Sequence, residues 1–160
     1  MTNLETTTAP VRRAFHHIGI QTDDLANAAS WYEAFFECVP SWTLTQFSEL
    51  TQSRLPGTRE LRELTAGDLR FHLFERPGDT APHPTQSIGG FQHFCLSTTD
   101  PADLVELRER WMTLFESGDY AFALPDQPTD IVVDGDGVHS LYVYDVNGVE
   151  FEFTYVPDSV

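Results

Sequence analysis

The sequence predicts an α+β fold in which two copies of a β-α-β-β-β module pack into one curved mixed sheet around a metal cleft. A short strand followed by an amphipathic helix occurs twice, first from residue 15 and again from residue 91. Strand-like segments follow each helix. Each copy is too small to bury its apolar face alone, so we expect the two copies to share a core with the helices outside.

The first module is expected over residues 11–76. It opens on a strand at 15–21, FHHIGIQ, and Thr22 or Asp23 can cap the helix that follows. Apolar residues then recur at helical spacing. The later strands of this module are expected at 42–47, 59–64 and 69–75.

The second module is expected over residues 91–156. It opens on a strand at 91–97, FQHFCLS, and Asp100 can cap a helix with Pro101 at its first position. Its later strands are expected at 130–133, 139–144 and 149–155. Residues 77–90 are expected to form a linker, since they contain three prolines and three glycines, and residues 1–10 a loose tail.

Composition excludes several classes of function. The 160 residues are 41% hydrophobic, which is enough for the core of a soluble globular protein, and the net charge is −16. That acidity argues against nucleic acid or an anionic membrane as partner, since both need basic patches. The sequence contains no apolar segment long enough to span a membrane and only two cysteines, Cys38 and Cys95. We therefore expect a cytoplasmic protein.

Four polar residues occupy matching places in the two copies. His17 and His93 open the first strands, and His72 and Glu152 lie in the closing strands. Because side chains alternate along a strand, all four are expected opposite an apolar face that the helices cover. The same alternation sends His16 to the other face, where we expect a structural or exposed side chain.

Two imidazoles and one carboxylate on adjacent strands are typical of a facial triad that leaves coordination positions open for substrate, water or O₂. We therefore expect His17, His93 and Glu152 to bind one divalent ion. His72 is either a fourth ligand or an acid or base that acts on the substrate.

His139 and Tyr142 lie on the penultimate strand and are further candidates for acid–base chemistry. The alternation of an ideal strand puts them on opposite faces. Only a bulge would let both side chains reach the cleft.

Three segments together carry a family resemblance: HHIGIQTDDLANAASWYEAFF, GGFQHFCLSTTD and SLYVYDVNGVEFEF. They resemble the vicinal oxygen chelate superfamily, which includes glyoxalase I, methylmalonyl-CoA epimerase, fosfomycin-modifying enzymes, bleomycin-binding proteins and type I extradiol dioxygenases. The resemblance covers residues 12–156 and implies metal ligands at His17, His93 and Glu152. His72 falls in the slot of a fourth ligand, and Val146 stands where the family usually has proline.

Within that superfamily the chain looks like the short L-DOPA extradiol dioxygenases. The dioxygenase branch has a tyrosine ten residues before its glutamate ligand, as Tyr142 stands to Glu152. This resemblance implies an Fe(II) site, a catechol substrate such as L-DOPA, and O₂. A substrate carboxylate would need a basic partner, for which Arg54, Arg59, Arg62 and Arg70 are candidates.

Two other functions remain open at this point. In a glyoxalase- or epimerase-like isomerase or lyase the metal would hold an enediolate and Glu152 could act as base, and four ligands including His72 would favour this function. Mn, Co, Ni or Zn could also stand in place of Fe(II). A drug-binding protein of the bleomycin-resistance kind needs no metal triad, so the retained His/His/Glu set argues against it. The resemblance also implies a homodimer.

Overall fold

The computed structural model describes residues 14–78 and 90–157. The predicted tail at 1–10 and most of the predicted linker lie outside these residues. The elements in chain order are β1 (Ile18–Thr22), α1 (Leu25–Phe35), β2 (Val39–Leu44), α2 (Glu49–Arg54), β3 (Glu60–Ala66), β4 (Leu69–Glu75), β5 (His93–Thr98), α3 (Ala102–Ser117), β6 (Val132–Val133), β7 (His139–Tyr144) and β8 (Glu150–Tyr155).

The strands form two four-stranded mixed sheets with the same topology. The strand order is β1-β4-β3-β2 in the first and β5-β8-β7-β6 in the second. In each sheet the first strand runs parallel to the last, and the remaining pairs are antiparallel. The α+β class and the repeated module are confirmed. The expected curved sheet is divided in two, because the described strands of one module form no backbone ladder with those of the other.

The helix starts differ from the predicted ones by one or two residues. Asp24, not Thr22 or Asp23, caps α1, and its Oδ1 accepts the backbone N–H of Asn27 at 2.9 Å. Thr22 still belongs to β1, so it cannot also be the residue at which the helix begins.

The second long helix begins one residue later than predicted. Pro101 is the capping residue of α3, so Ala102 is the first residue of the helix. The carboxylate of Asp100 accepts the backbone N–H of Ala102 at 2.8 Å. Asp100 therefore still accepts from the start of the helix, although it lies one residue before the capping position.

Sequence reasoning missed α2, which is only six residues long. Its signals are Ser48, whose hydroxyl accepts the N–H of Thr51 at 3.2 Å, an acidic Glu49 in the first turn and a basic Arg54 in the last. So short a segment shows no apolar periodicity, which is why the pattern did not reveal it.

One core joins the two sheets through α1. Tyr32 lies 4.9 Å from Phe71 of β4, and Phe36 lies 5.3 Å from Phe151 of β8, both measured between ring centres. The hydroxyl of Tyr32 also donates to the buried carboxylate of Asp145 at 2.8 Å. The first sheet turns its apolar face toward α1 and the second toward α3, and these two helices pack against each other, so both polar faces look away from the shared core. No described helix has both the length and the apolar composition to cross a membrane.

Candidate metal centre

Strand register makes the four candidate polar residues equivalent in pairs. Ile18 of β1 lies opposite Phe71 of β4. In the second sheet Phe94 lies opposite Phe151. The candidates are the sequence neighbours of these apolar residues, so His17 corresponds to His93 and His72 corresponds to Glu152.

The first sheet carries three imidazoles, and with Glu63 we call them the first half-site (His16, His17, His72 and Glu63). The rings of His17 and His72 stack with their centres 3.8 Å apart. Nδ1 of His16 lies 2.9 Å from Nδ1 of His17. The ligand atoms of all three histidines lie within 4.8 Å of one another, and no other such trio occurs among the described residues.

The position of His16 corrects an expectation. Strand alternation was expected to send its side chain to the opposite face from His17. β1 begins only at Ile18, so both histidines precede the strand and the period of two does not apply to them.

Glu63 is a site residue that sequence reasoning missed. It lies opposite His72 in the β3–β4 ladder, is 3% exposed, and its Oε2 is 2.8 Å from Nε2 of His72. Burial alone would raise the pKa of Glu63, but hydrogen bonds from His72 and Ser41 and the charge of Arg70 bring it below the ordinary value. An ionised carboxylate can only accept a hydrogen bond, so Nε2 of His72 carries the proton that Glu63 accepts. Nδ1 of His72 then has a free lone pair.

His17 is held in the form that a metal requires. Burial, followed by the neighbouring imidazoles of His72 and His16, lowers its pKa below the ordinary value, and Glu63 only partly opposes this. The neutral imidazole is the ligand form of histidine.

The second sheet carries one imidazole among oxygens, which we call the second half-site (His93, Ser140, Tyr142, Glu150 and Glu152). Nε2 of His93 lies 3.1 Å from Oε2 of Glu152. The other carboxylate oxygen, Oε1, accepts hydrogen bonds from the hydroxyls of Tyr142 at 3.0 Å and Ser140 at 3.1 Å. These two hydroxyls occupy Oε1, and Oε2 is the oxygen that lies beside the His93 nitrogen.

Nδ1 of His93 is a buried polar atom without a hydrogen-bond partner among the described residues. Oε2 of Glu150 is another, and the two atoms lie 4.0 Å apart. The hydroxyl of Tyr144 donates to the other oxygen of Glu150 at 3.1 Å. Metal-bound histidines usually donate their second N–H to a carboxylate, so Glu150 stands where such a partner of His93 would be.

His139 and Tyr142 lie on opposite faces of β7. The β7–β8 register is unbroken from His139 to Tyr144, so the bulge that would bring both to one face is not there. Tyr142 lies opposite Glu152, whereas His139 meets the ring of Tyr155 edge-on at 5.6 Å.

A cavity of about 410 Å³ opens beside the first half-site. Two of its lining residues, His17 and His72, belong to that half-site, and Arg54 reaches it from α2. Arg59, Arg62 and Arg70 are not among the lining residues. The cavity is lined by His17, Leu44, Phe47, Leu50, Thr51, Arg54, Leu55, Leu61, His72 and Phe74.

Within one chain, the described structure does not bring His17 of the first half-site together with His93 and Glu152 of the second. His93 and Glu152 meet each other, and His17 meets His72, but the described trio of close ligands contains neither His93 nor Glu152. Both half-sites lie on polar faces directed away from the shared core. The triad of His17, His93 and Glu152 therefore stays a prediction.

Several solved structures share this fold. A lactoylglutathione lyase from Agrobacterium tumefaciens is 22% identical with a TM-score of 0.56, covering 90% of this chain and 94% of its own. A glyoxylase/bleomycin resistance protein/dioxygenase domain from Frankia sp. EAN1pec is 17% identical with a TM-score of 0.67, covering 92% and 100%. The fosfomycin resistance protein FosX from Listeria monocytogenes, solved with Mn(II) and sulfate, is 14% identical with a TM-score of 0.59, covering 92% and 96%.

None of the curated proteins matches the chain. The family model described as glyoxalase/bleomycin resistance protein/dioxygenase superfamily matches residues 14–153, which contain both half-sites. The chain therefore belongs to the glyoxalase/bleomycin resistance protein/dioxygenase superfamily.

Proposed function

We propose that the chain is a metal-dependent extradiol dioxygenase that cleaves a catechol ring with O₂, with His17, His93 and Glu152 as the ligands of Fe(II). The observation that carries the proposal is the position of Tyr142. Its hydroxyl donates to Glu152, and its ring lies 5.8 Å from that of His93. A phenol beside two of the proposed ligands is placed to act on a substrate oxygen bound at the same ion.

The donor set of the second half-site fits a divalent ion. His93 and Glu152 present a nitrogen and an oxygen 3.1 Å apart, and the buried carboxylate of Glu150 lies behind the ring of His93. Two imidazoles and one carboxylate suit non-haem Fe(II), although Mn, Co, Ni or Zn can occupy the same donors. The bound ion would supply Lewis acidity toward both catechol oxygens and redox capacity toward O₂.

Tyr142 is placed to orient the catechol by a hydrogen bond. Burial and the adjacent carboxylate of Glu152 raise the pKa of Tyr142 above its ordinary value, so its phenol stays protonated at neutral pH. A protonated phenol does not act as a base, and it can donate to a catechol oxygen only when it releases its hydrogen bond to Glu152.

His72 is the better candidate for the base. Its Nε2–H is held by Glu63, which stabilises the imidazolium that forms when Nδ1 takes a proton from the substrate. His139 has no part in the proposal, because it lies on the opposite face of β7 from Tyr142.

Two copies of the chain would complete the site. The first polar face carries one ligand of the predicted triad, His17, and the second carries the other two, His93 and Glu152. Both faces look away from the common core, so a second copy can place its second half-site over the first half-site of its neighbour. A two-fold axis then forms two equivalent sites per homodimer.

One observation favours a second candidate, a glyoxalase- or epimerase-like isomerase or lyase. His72 lies close enough to His17 for both to bind one ion, and a fourth protein ligand leaves fewer open positions for substrate and O₂. In that case His72 would be a ligand rather than a base.

Anaerobic loading with Fe(II) followed by a catechol and air tests the first proposal. We expect O₂ uptake and a yellow ring-opened product. His93→Ala should abolish both, whereas His139→Ala, in the same module but on the other face, should retain both. The absence of O₂ uptake across a panel of catechols, in protein that binds stoichiometric Fe(II), would overturn the dioxygenase assignment.

A further inference from the structure

The cavity beside the first half-site has apolar walls that suit the ring of a small aromatic ligand. Its volume, about 410 Å³, falls in the range of sites for small molecules. Among the described lining residues, the polar ones are His17, His72, Thr51 and Arg54. The rest of the wall is apolar and consists of Leu44, Phe47, Leu50, Leu55, Leu61 and Phe74.

Arg54 is an uncompensated cation in this wall. Its guanidinium makes no hydrogen bond or ion pair with any described residue. The same is true of Arg59, but Arg59 does not line the cavity, and Arg62 and Arg76 are bonded to Glu60 and Gln21, each at 2.7 Å. In a chain of net charge −16, an exposed guanidinium that has no acidic partner among the described residues can bind one anion at the edge of this apolar cavity.

Within one chain, the described wall of the cavity offers no acidic partner for a second, positive charge. Among the described residues, no Asp or Glu lines it. The nearest buried acid of the first half-site, Glu63, already accepts from His72 and lies 4.0 Å from Arg70. An ammonium group beside the carboxylate of a ligand would lose its water without gaining a partner.

We propose that the substrate is an aryl carboxylate without an amino group, whose carboxylate binds Arg54 and whose ring lies between the apolar walls with its reacting end at His17 and His72. This rests on the proposed function for the nature of the reacting end. It revises the substrate that the family resemblance implies, since L-DOPA carries the ammonium group that the cavity does not accommodate.

Four catechols that differ only in their side chain test the proposal directly. They are 3-(3,4-dihydroxyphenyl)propionate with the acid alone, L-DOPA with acid and amine, dopamine with the amine alone, and 4-ethylcatechol with neither. Calorimetry on the Zn(II)-loaded protein measures their dissociation constants without turnover. We expect the propionate to bind roughly 10- to 100-fold more tightly than each of the others.

Arg54→Met should remove that advantage and leave the affinity for 4-ethylcatechol unchanged. Arg54→Lys should restore only part of it, since an ammonium does not bind a carboxylate through two parallel hydrogen bonds. Arg108→Met removes one positive charge from the second module and should change none of the four constants. L-DOPA binding as tightly as the propionate, or equal losses for all four ligands in Arg54→Met, would overturn the proposal.

Binding of 3-phenylpropionate, which lacks the diol, separates this inference from the proposed function. Arg54-dependent binding of 3-phenylpropionate by the metal-free protein supports the cavity assignment even if no catechol is cleaved. Cleavage of catechols at rates that Arg54→Met does not alter supports the dioxygenase and refutes the role of Arg54.

Discussion

In the first module the polar face of the sheet carries three imidazoles above one buried carboxylate, whereas in the second it carries two carboxylates and two phenols around one imidazole. The backbones are equivalent, since the strand order and the register are the same. The difference is in the side chain that faces each closing-strand residue: Glu63 faces His72, and Tyr142 faces Glu152. Topology thus determines where the polar groups lie, and the facing residue determines what each can do.

The modules also differ in what covers the polar face. The first has α2 and a cavity with an unpaired arginine, whereas the second has oxygens that bond among themselves. We infer a division of labour in which the first module binds the substrate and the second supplies most of the charge for the metal.

The largest expected effect comes from inactivating one half-site in one variant and the other half-site in a second variant. If the metal site is shared between copies, His17→Ala and Glu152→Ala should each lose stoichiometric metal binding. An equal mixture, unfolded and refolded together, should regain about a quarter of the wild-type metal sites, because half of its dimers are mixed and each has one intact site of two.

Metal content after gel filtration measures this recovery. Separately refolded variants, combined just before the measurement, are the control and should stay empty. A refolded mixture with no more metal than that control would show that one chain holds both halves of the site.

The two buried tryptophans compare the modules within the core. Trp111 of α3 donates its indole N–H to the carbonyl of Tyr144 at 2.7 Å, whereas the indole N–H of Trp31 in α1 is buried without a partner among the described residues. Both substitutions to Phe leave a gap, but only Trp111→Phe also removes a hydrogen bond. We expect Trp111→Phe to cost about 1–2 kcal/mol more than Trp31→Phe. Urea unfolding of both variants measures the difference, and equal losses would contradict it.

The turns before the closing strands give a smaller contrast. Gly67 and Gly148 both have positive φ, +57° and +82°, so alanine is strained at each by about 1 kcal/mol. A Cβ at Gly148 would also lie 3.2 Å from Leu124, whereas one at Gly67 meets nothing within 4 Å. Gly148→Ala should therefore lower the melting temperature more than Gly67→Ala does. Equal losses would mean that Leu124 moves aside at no cost, and the reverse order would contradict the prediction.

The smallest expected effect is an opposite pH response of two buried carboxylates. The pKa of Glu63 lies below its ordinary 4.5, so the stability that this residue contributes is present above 4.5 and is lost as the pH falls through the folded value. Burial raises the pKa of Asp145 above 3.8, despite its hydrogen bonds from Asn147, Val149 and Tyr32. Its contribution is therefore fully present below 3.8 and is lost as the pH rises through the folded value.

Between about pH 5 and about pH 3.5, Glu63→Gln should lose less stability than the wild type and Asp145→Asn should lose more. Denaturant midpoints at the two pH values measure both differences. The same acid loss in all three proteins would mean that neither carboxylate is perturbed in the folded state.

The sequence was sufficient for the parts that depend on local pattern. Apolar alternation predicted β4 and β7 at their observed bounds, and the repeat predicted that His17 matches His93 and that His72 matches Glu152. It failed for Glu63, because the residue that faces His72 is decided by the register between two strands and not by either strand alone. It named Arg54 among four candidate arginines but could not choose between them, because only the structure shows that Arg54 lines the cavity and α2 is too short for a periodic signal.

The sequence by itself therefore determined the fold class, the repeat and the residue types available for metal binding, since periodicity and residue chemistry are local properties of the chain. Only the tertiary structure decided which side chains meet. Packing the first sheet on α1 and the second on α3 around a shared core directed both half-sites away from that core, and strand pairing brought Glu63 to His72 and Tyr142 to Glu152. Such contacts depend on residues distant in sequence, and burial is what makes them strong.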